Sequence, residues 1–422
     1  MEFALDSGNT AWMITATALV LLMTPGLAFF YGGMVRTKSV LNMMMMSFIS
    51  IGTIAVVWVI YGYGLAFGPD TLGGLVGSPA DFVGLNSVPD SSSLAAGVGV
   101  PFLVMVAFQA TFAIITVALI SGSVADRMKF GTWTIFTVLW VSLVYVAVAH
   151  GVWGGGLLGS FSPSTVIDFA GGTVVHINAG AAGLALAILL GVRKGFGKEP
   201  FKPHNMPFVM LGAALLWFGW FGFNAGSEFG ADPTAGRAFL NTLVAPAVAM
   251  LGWLLVEKIR DGKATSLGAA SGVVAGLVAI TPAAAAVDTW GALAIGLIAG
   301  AVCALAVALK YKFGYDDSLD VVGVHLVGGL VGTILIGFFS NLDEGTTWAP
   351  DGALNGVFYG GGWTQLASQT IGALVALAYS FVLTIIIGLI LKYTIGLRVS
   401  EDVELTGIDL ASHGETAYEE AK

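Results

Sequence analysis

Two histidines carry the first chemical signal in this chain. His176 opens the segment His176-Ile-Asn-Ala-Gly180-Ala-Ala-Gly183, and His325 opens His325-Leu-Val-Gly-Gly329-Leu-Val-Gly332. Both read His-x3-Gly-x2-Gly, and each has an aspartate upstream, Asp168 and Asp320. A neutral imidazole offers one hydrogen-bond donor and one acceptor. A pair of them can therefore line a narrow passage for a small hydrogen-bonding molecule. A large hydrated metal ion would need carboxylate or carbonyl oxygens instead. The chain has no zinc-type spacing, phosphate-cradling loop or Gly-x-Ser-x-Gly nucleophile motif. His150 reads as a group that hydrogen-bonds between helices.

Aromatic residues give the second signal. Phe108 and Phe112 are four residues apart, as are Phe223 and Ser227, so each pair shares one side of a helix. Trp153 is followed by Gly154-Gly155-Gly156. Most of the 26 phenylalanines are packing or lipid-facing rings, and Trp153 would equally serve as an interfacial anchor. The spacing also permits an aromatic cup whose ring faces attract a cation. Asp168, shortly before Gly171-Gly172, is either a ligand or a helix cap; capping is the role expected of it and of Asp320. The run Met43–Met46 reads as adaptable packing.

Composition says where the scaffold for these residues must sit. Of 422 residues, 56% are hydrophobic and 10% charged, against about 25% charged in a soluble domain. Such a chain cannot stay disordered. A net charge of −9 without a dense basic run excludes a nucleic-acid partner. The single cysteine, Cys303, permits no internal disulfide. What remains is a polytopic protein whose partner is the lipid bilayer.

A crossing helix needs about 20 mostly apolar residues. Such runs fall at 11–30, 42–67, 98–123, 132–150, 171–191, 208–226, 239–256, 267–283, 289–309, 321–340 and 370–396, which makes eleven. The alternating signature of a membrane barrel is missing. Glycines such as Gly291, Gly296 and Gly300 are expected to let helices approach closely. Of the 17 basic residues, all but Arg237 follow odd-numbered spans or the last one, from Arg36 and Lys38 to Arg398 and Lys422. The rule that basic loops stay inside then predicts an outer N-terminus and a cytoplasmic C-terminus. Residues 1–10 carry no base, so no cleavable leader is expected and the first span is expected to stay.

The two histidine motifs lie five spans apart and would run in opposite directions. That predicts an all-α inverted repeat, spans 1–5 against spans 6–10, with an eleventh helix added, and such repeats enclose a path near the bilayer midplane. Counting puts His176 in the outer half of its span and His325 in the inner half of its own. Both fall in one pathway, but counting alone does not bring them into contact.

These motifs resemble the ammonium transporter family (Amt/Mep/Rh), on the bacterial and archaeal Amt branch. The resemblance rests on Asp168-Phe-Ala-Gly-Gly-Thr-Val-Val-His176-Ile-Asn-Ala-Gly, Trp217-Phe-Gly-Trp-Phe-Gly-Phe223-Asn-Ala-Gly-Ser227, Ala264-Thr-Ser-Leu-Gly-Ala-Ala-Ser-Gly272 and Asp316-Asp-Ser-Leu-Asp-Val-Val-Gly-Val-His325. It covers almost the whole chain. It implies a transporter rather than an enzyme, with no cofactor or metal, built as an N-out, C-in homotrimer in the cell membrane. The membrane domain would be 1–396, with repeat halves at about 1–200 and 201–345 and a last helix at 370–396. Phe108, Trp153 and Ser227 would match the outer recruitment site, supported by Asp168. Phe112 and Phe223 would match a phenyl gate, and His176 and His325 the pore histidines, which touch in the family. Trp220 and Thr281 would line the pore. Ammonium would be the substrate, methylammonium its analogue, and nitrogen assimilation the purpose. The alternatives are an ammonium sensor with little flux and a passive gas channel for ammonia or carbon dioxide.

Residues 397–422 hold five acids between Glu401 and Glu415, punctuated by Gly407 and Gly414. By composition they read as a solvated terminus. By resemblance they match, at Gly407, Asp409, His413, Gly414 and Glu415, a cytoplasmic regulatory tail that couples neighbouring protomers. A PII-type signal protein is the partner the resemblance implies.

Overall fold

A computed structural model describes residues 4–85, 99–342 and 348–418. Among them, eleven helices are long and apolar enough to cross a membrane. They are span 1 (Ser7–Met34), span 2 (Thr37–Phe67), span 3 (Phe102–Val124), span 4 (Phe130–Trp153), span 5 (Gly172–Leu190), span 6 (Met206–Gly226), span 7 (Pro233–Asp261), span 8 (Ser266–Ala283), span 9 (Thr289–Phe313), span 10 (Val322–Phe339) and span 11 (Thr364–Thr394). The number agrees with the apolar runs. Several helices are longer than their runs because polar caps extend them. Asp6 accepts the Asn9 N–H at 2.8 Å ahead of span 1, and Asp232 accepts the Ala235 N–H at 3.0 Å ahead of span 7. Each satisfies a donor that a helix start otherwise leaves orphaned.

Small residues set the spacing between helices. A Cβ added at Gly296 would lie 2.3 Å from the Ala245 carbonyl oxygen, and one at Gly300 would lie 2.1 Å from that of Ala249. Span 9 therefore rests directly on the backbone of span 7, as expected of small residues in lipid.

Spans 5 and 10 cross at their glycines. A Cβ at Gly180 would sit 2.5 Å from the Leu326 nitrogen, and one at Gly329 would sit 3.1 Å from the His176 Cβ. Each helix thus presents a glycine to the histidine segment of the other. Both histidine segments are wide π-turns, Gly172–Ile177 and Val322–Leu326. Such turns are rare and frequently mark functional sites.

The capping expectation holds for Asp168 and fails for Asp320. The Asp168 carboxylate accepts the backbone N–H groups of Gly171, Gly172 and Thr173 at 2.8, 2.6 and 2.8 Å, and the Thr173 hydroxyl. At the start of span 10 the equivalent acceptor is Asp317, which takes the Val322 N–H at 2.7 Å and the Ser123 hydroxyl at 2.9 Å. Asp320 instead turns to Lys310, whose ammonium donates to it at 2.6 Å. Its own φ of 64° matches the position held by Gly171, whose φ is 122°.

The tail is docked, against the reading of a solvated end. Gly407 (φ 124°) joins two short helices, Glu401–Thr406 and Ile408–His413, and Gly414 (φ 69°) closes the second. Asp409 accepts the Leu41 and Asn42 N–H groups at 3.0 and 2.8 Å, capping the start of span 2. His413 meets Asn42 Oδ1 at 3.1 Å and packs edge-on against Phe130. Glu404 accepts from Arg398 at 2.6 Å and from the Lys194 N–H at 2.8 Å. Glu415 is exposed, and residues 419–422 lie outside the described set.

Candidate functional site

A vestibule of about 410 Å³ opens at the ends of spans 3, 4 and 6, with Phe112, Trp153, Asp168 and Ser227 in its wall. Trp153 is the last residue of span 4 rather than part of the loop that follows. Its indole N–H donates to the Asp168 carbonyl at 2.8 Å, which fixes the ring. Trp153 stands perpendicular to Phe112, with centroids 6.0 Å apart. The Ser227 hydroxyl donates to the Phe223 carbonyl at 2.8 Å, leaving its lone pairs for a donor such as an N–H cation. Burial pushes the Asp168 carboxyl up, and its donors pull the other way. Its hydrogen bonds are spent on the backbone, so it shapes the wall.

Below the vestibule, Phe112 and Phe223 stack with centroids 4.1 Å apart and an interplanar angle of 22°. They close the way down. Past them lies a cavity of about 10 Å³, bordered by Phe223, Trp220, His176 and His325 among aliphatic side chains. That volume is near the minimum for one water-sized molecule. The histidines do touch: their Nδ1 atoms are 3.3 Å apart and the rings are inclined at 28°. His176 Nε2 is buried and has no hydrogen-bond partner among the described residues. A buried polar atom left alone is costly, and here its residue borders a small void beneath the ring pair.

Two expected site residues stand one layer behind the walls of these two cavities. The Phe108 ring does not border the vestibule. It is fully buried, 4.9 Å from the Phe112 ring and 6.0 Å from Phe229, two rings that do border it. Thr281 does not border the lumen either. It accepts the Trp220 indole N–H at 2.8 Å and donates to the Leu277 carbonyl, so it holds the indole that does. His150 hydrogen-bonds the Ala66 carbonyl at 3.0 Å and Asp70 at 3.2 Å, both beyond its own helix.

The sequence reading did not single out Gln109, Phe169, Phe229 and Trp348, which also line the vestibule. Phe169 and Trp348 come from irregular segments, where no periodicity marks them. Asp317 could have been found, since Asp168–His176 and Asp317–His325 share a spacing of eight while Asp320 breaks it.

Eleven apolar helices around an aromatic vestibule, a closed ring pair and a histidine-bordered lumen define a multi-pass membrane protein with a narrow lined passage. Comparison with known proteins places it further. The model of the Ammonium Transporter Family matches residues 11–418, and the chain belongs to that family. An ammonium transporter of Mycobacterium tuberculosis is 56% identical, over 98% of this chain and 91% of that protein. One from Aquifex aeolicus is 48% identical, over 99% and 95%. Among solved structures, Candida albicans Mep2 superposes with a TM-score of 0.86 at 33% identity, covering 98% of this chain and 91% of its own. A sensor Amt protein gives 0.84 at 29%, covering 96% and 98%.

Proposed function

We propose that the chain imports ammonium across the cell membrane for nitrogen assimilation, holding the cation in the vestibule and conducting ammonia past the two histidines. The observation that carries this reading is the unpartnered His176 Nε2 in an otherwise apolar lumen too small for a hydrated ion. Moving a bare cation into such surroundings costs many kcal/mol, with an idealised Born term of about 20 kcal/mol. Ammonium avoids this by giving up one proton as it passes the Phe112–Phe223 gate, with the bare imidazole nitrogen of the histidine pair beneath it as the acceptor. Ammonia then crosses, and proton and ammonia recombine beyond. Potassium has no proton to lose, so the same cost excludes it.

The histidine pair supports a separate route for that proton. With one proton between the Nδ1 atoms, the ring that donates it has a bare Nε2 and the ring that accepts it carries Nε2–H. Protonating the bare Nε2, shifting the shared proton and releasing the other Nε2–H moves one proton across the pair. The vestibule side is taken as outer and the tail side as cytoplasmic, in line with the basic loops. The reciprocal glycine contacts and the matching Asp168 and Asp317 caps support the five-plus-five inverted repeat. Assembly as a homotrimer and regulation by a PII-type protein at the docked tail follow from the family resemblance.

The test is current and labelled methylammonium uptake measured together in reconstituted liposomes. His176→Ala combined with His325→Ala should abolish ordinary ammonium current or admit potassium. Unaltered current with unaltered exclusion of potassium would reduce the pair to packing.

A further inference from the structure

The vestibule contains a second aromatic corner that ammonium recruitment does not use. Phe169 and Trp348 stand at 81° to one another with centroids 4.8 Å apart, and both border the same cavity as Phe112 and Trp153. The latter pair makes a corner of the same kind, at 83° and 6.0 Å. The corners are joined through the backbone, because the Trp153 indole holds the carbonyl of Asp168, the residue before Phe169. Right-angled ring faces on several sides of a cation are how aromatic cages recognise methylated ammonium groups.

Size points the same way. An apolar cavity of about 150 Å³ holds a benzene ring, and this vestibule offers about 410 Å³, far more than one ammonium ion fills. Desolvating a cation costs less as its radius grows, since the charge is spread over a larger surface. A quaternary methylammonium therefore gives up its water more readily than ammonium and has room in the vestibule. It cannot go further. The rings below are stacked at 4.1 Å and the next void is about 10 Å³, and a quaternary ammonium has no proton to leave behind.

We propose that the Phe169–Trp348 corner makes the vestibule a binding site for quaternary methylammonium cations, which occupy it and block the passage without crossing. This rests on the vestibule being the entry for ammonium. The experiment uses the full chain in liposomes, with tetramethylammonium as probe against labelled methylammonium uptake. Tetramethylammonium should inhibit competitively and should not accumulate inside. Trp348→Ala should raise its inhibition constant about two- to thirtyfold, the span of a cation–π contact, relative to the half-saturation for methylammonium in the same variant. Trp348→Phe should restore most of the loss. Absent or non-competitive inhibition, internal accumulation of the probe, or an inhibition constant unmoved in folded Trp348→Ala would each overturn the proposal. Wild-type liposomes that take up no methylammonium would instead overturn the transport reading.

Discussion

Asp168 and Asp317 each stand eight residues before one of the paired histidines, and each accepts the backbone N–H five residues further on, that of Thr173 at 2.8 Å and that of Val322 at 2.7 Å. One carboxylate seeds the π-turn of His176 and the other that of His325. The histidines meet because two local folding signals are the same.

Asp317 gives a pH prediction. Burial pushes its carboxyl up to about 6, with Lys310 opposing and Asp320 adding to the rise. The folded protein therefore holds a proton that the unfolded chain releases near its ordinary value. The associated stability is present below about pH 4 and is lost as pH rises through about 6, by up to about 3 kcal/mol. Thermal midpoints in detergent between pH 4 and 7 should show a shallower decline in Asp317→Asn than in the parent. Parallel profiles would refute this.

The vestibule prediction concerns Trp153. Trp153→Leu should raise the half-saturation for ammonium about two- to thirtyfold, the range of one cation–π contact of about 0.5–2 kcal/mol. Ser227→Ala should act in the same direction by removing an acceptor. Uptake at limiting ammonium checks both, and unchanged uptake in the two variants would remove these residues from recruitment.

Packing at the crossing of spans 5 and 10 leaves no room for a methyl group. Gly180→Ala would place a Cβ 2.5 Å from the Leu326 nitrogen, and overpacking of this kind costs about 1–3 kcal/mol. The variant should unfold at lower temperature and conduct less ammonium, because the helices part where the histidines meet. Wild-type stability would show that the crossing yields elsewhere.

Removing the tail from Ser400 onward should leave the membrane spans folded but lower or deregulate flux. It should also weaken retention of a PII trimer in a pull-down. Asp409→Ala alone should cost about 0.5–2 kcal/mol, the usual worth of a helix cap. Equal flux and equal PII retention by the truncated protein would make the tail a passive attachment.

The eleven spans were legible because each is an apolar run that water would reject, and the histidine motifs because one short pattern, His-x3-Gly-x2-Gly, occurs in both. Helix ends were less legible, since caps such as Asp232 lie outside the apolar run. Asp317 was less legible because Asp320 lies between it and His325, although only Asp317 keeps the spacing of eight. Phe108 and Phe112 share a helix side, but only the tertiary position of span 6 decides which ring meets Phe223. The tail read as solvated because its acids find partners hundreds of residues away, among Leu41, Asn42 and Lys194. No local window contains that information.

The reach of Asp409 also bears on how the molecule is made. Its carboxylate caps Leu41, a residue 368 positions earlier. During synthesis the start of span 2 therefore has water as its partner until residue 409 has emerged. A ribosome that stops early leaves that helix end unfinished however well the spans have inserted.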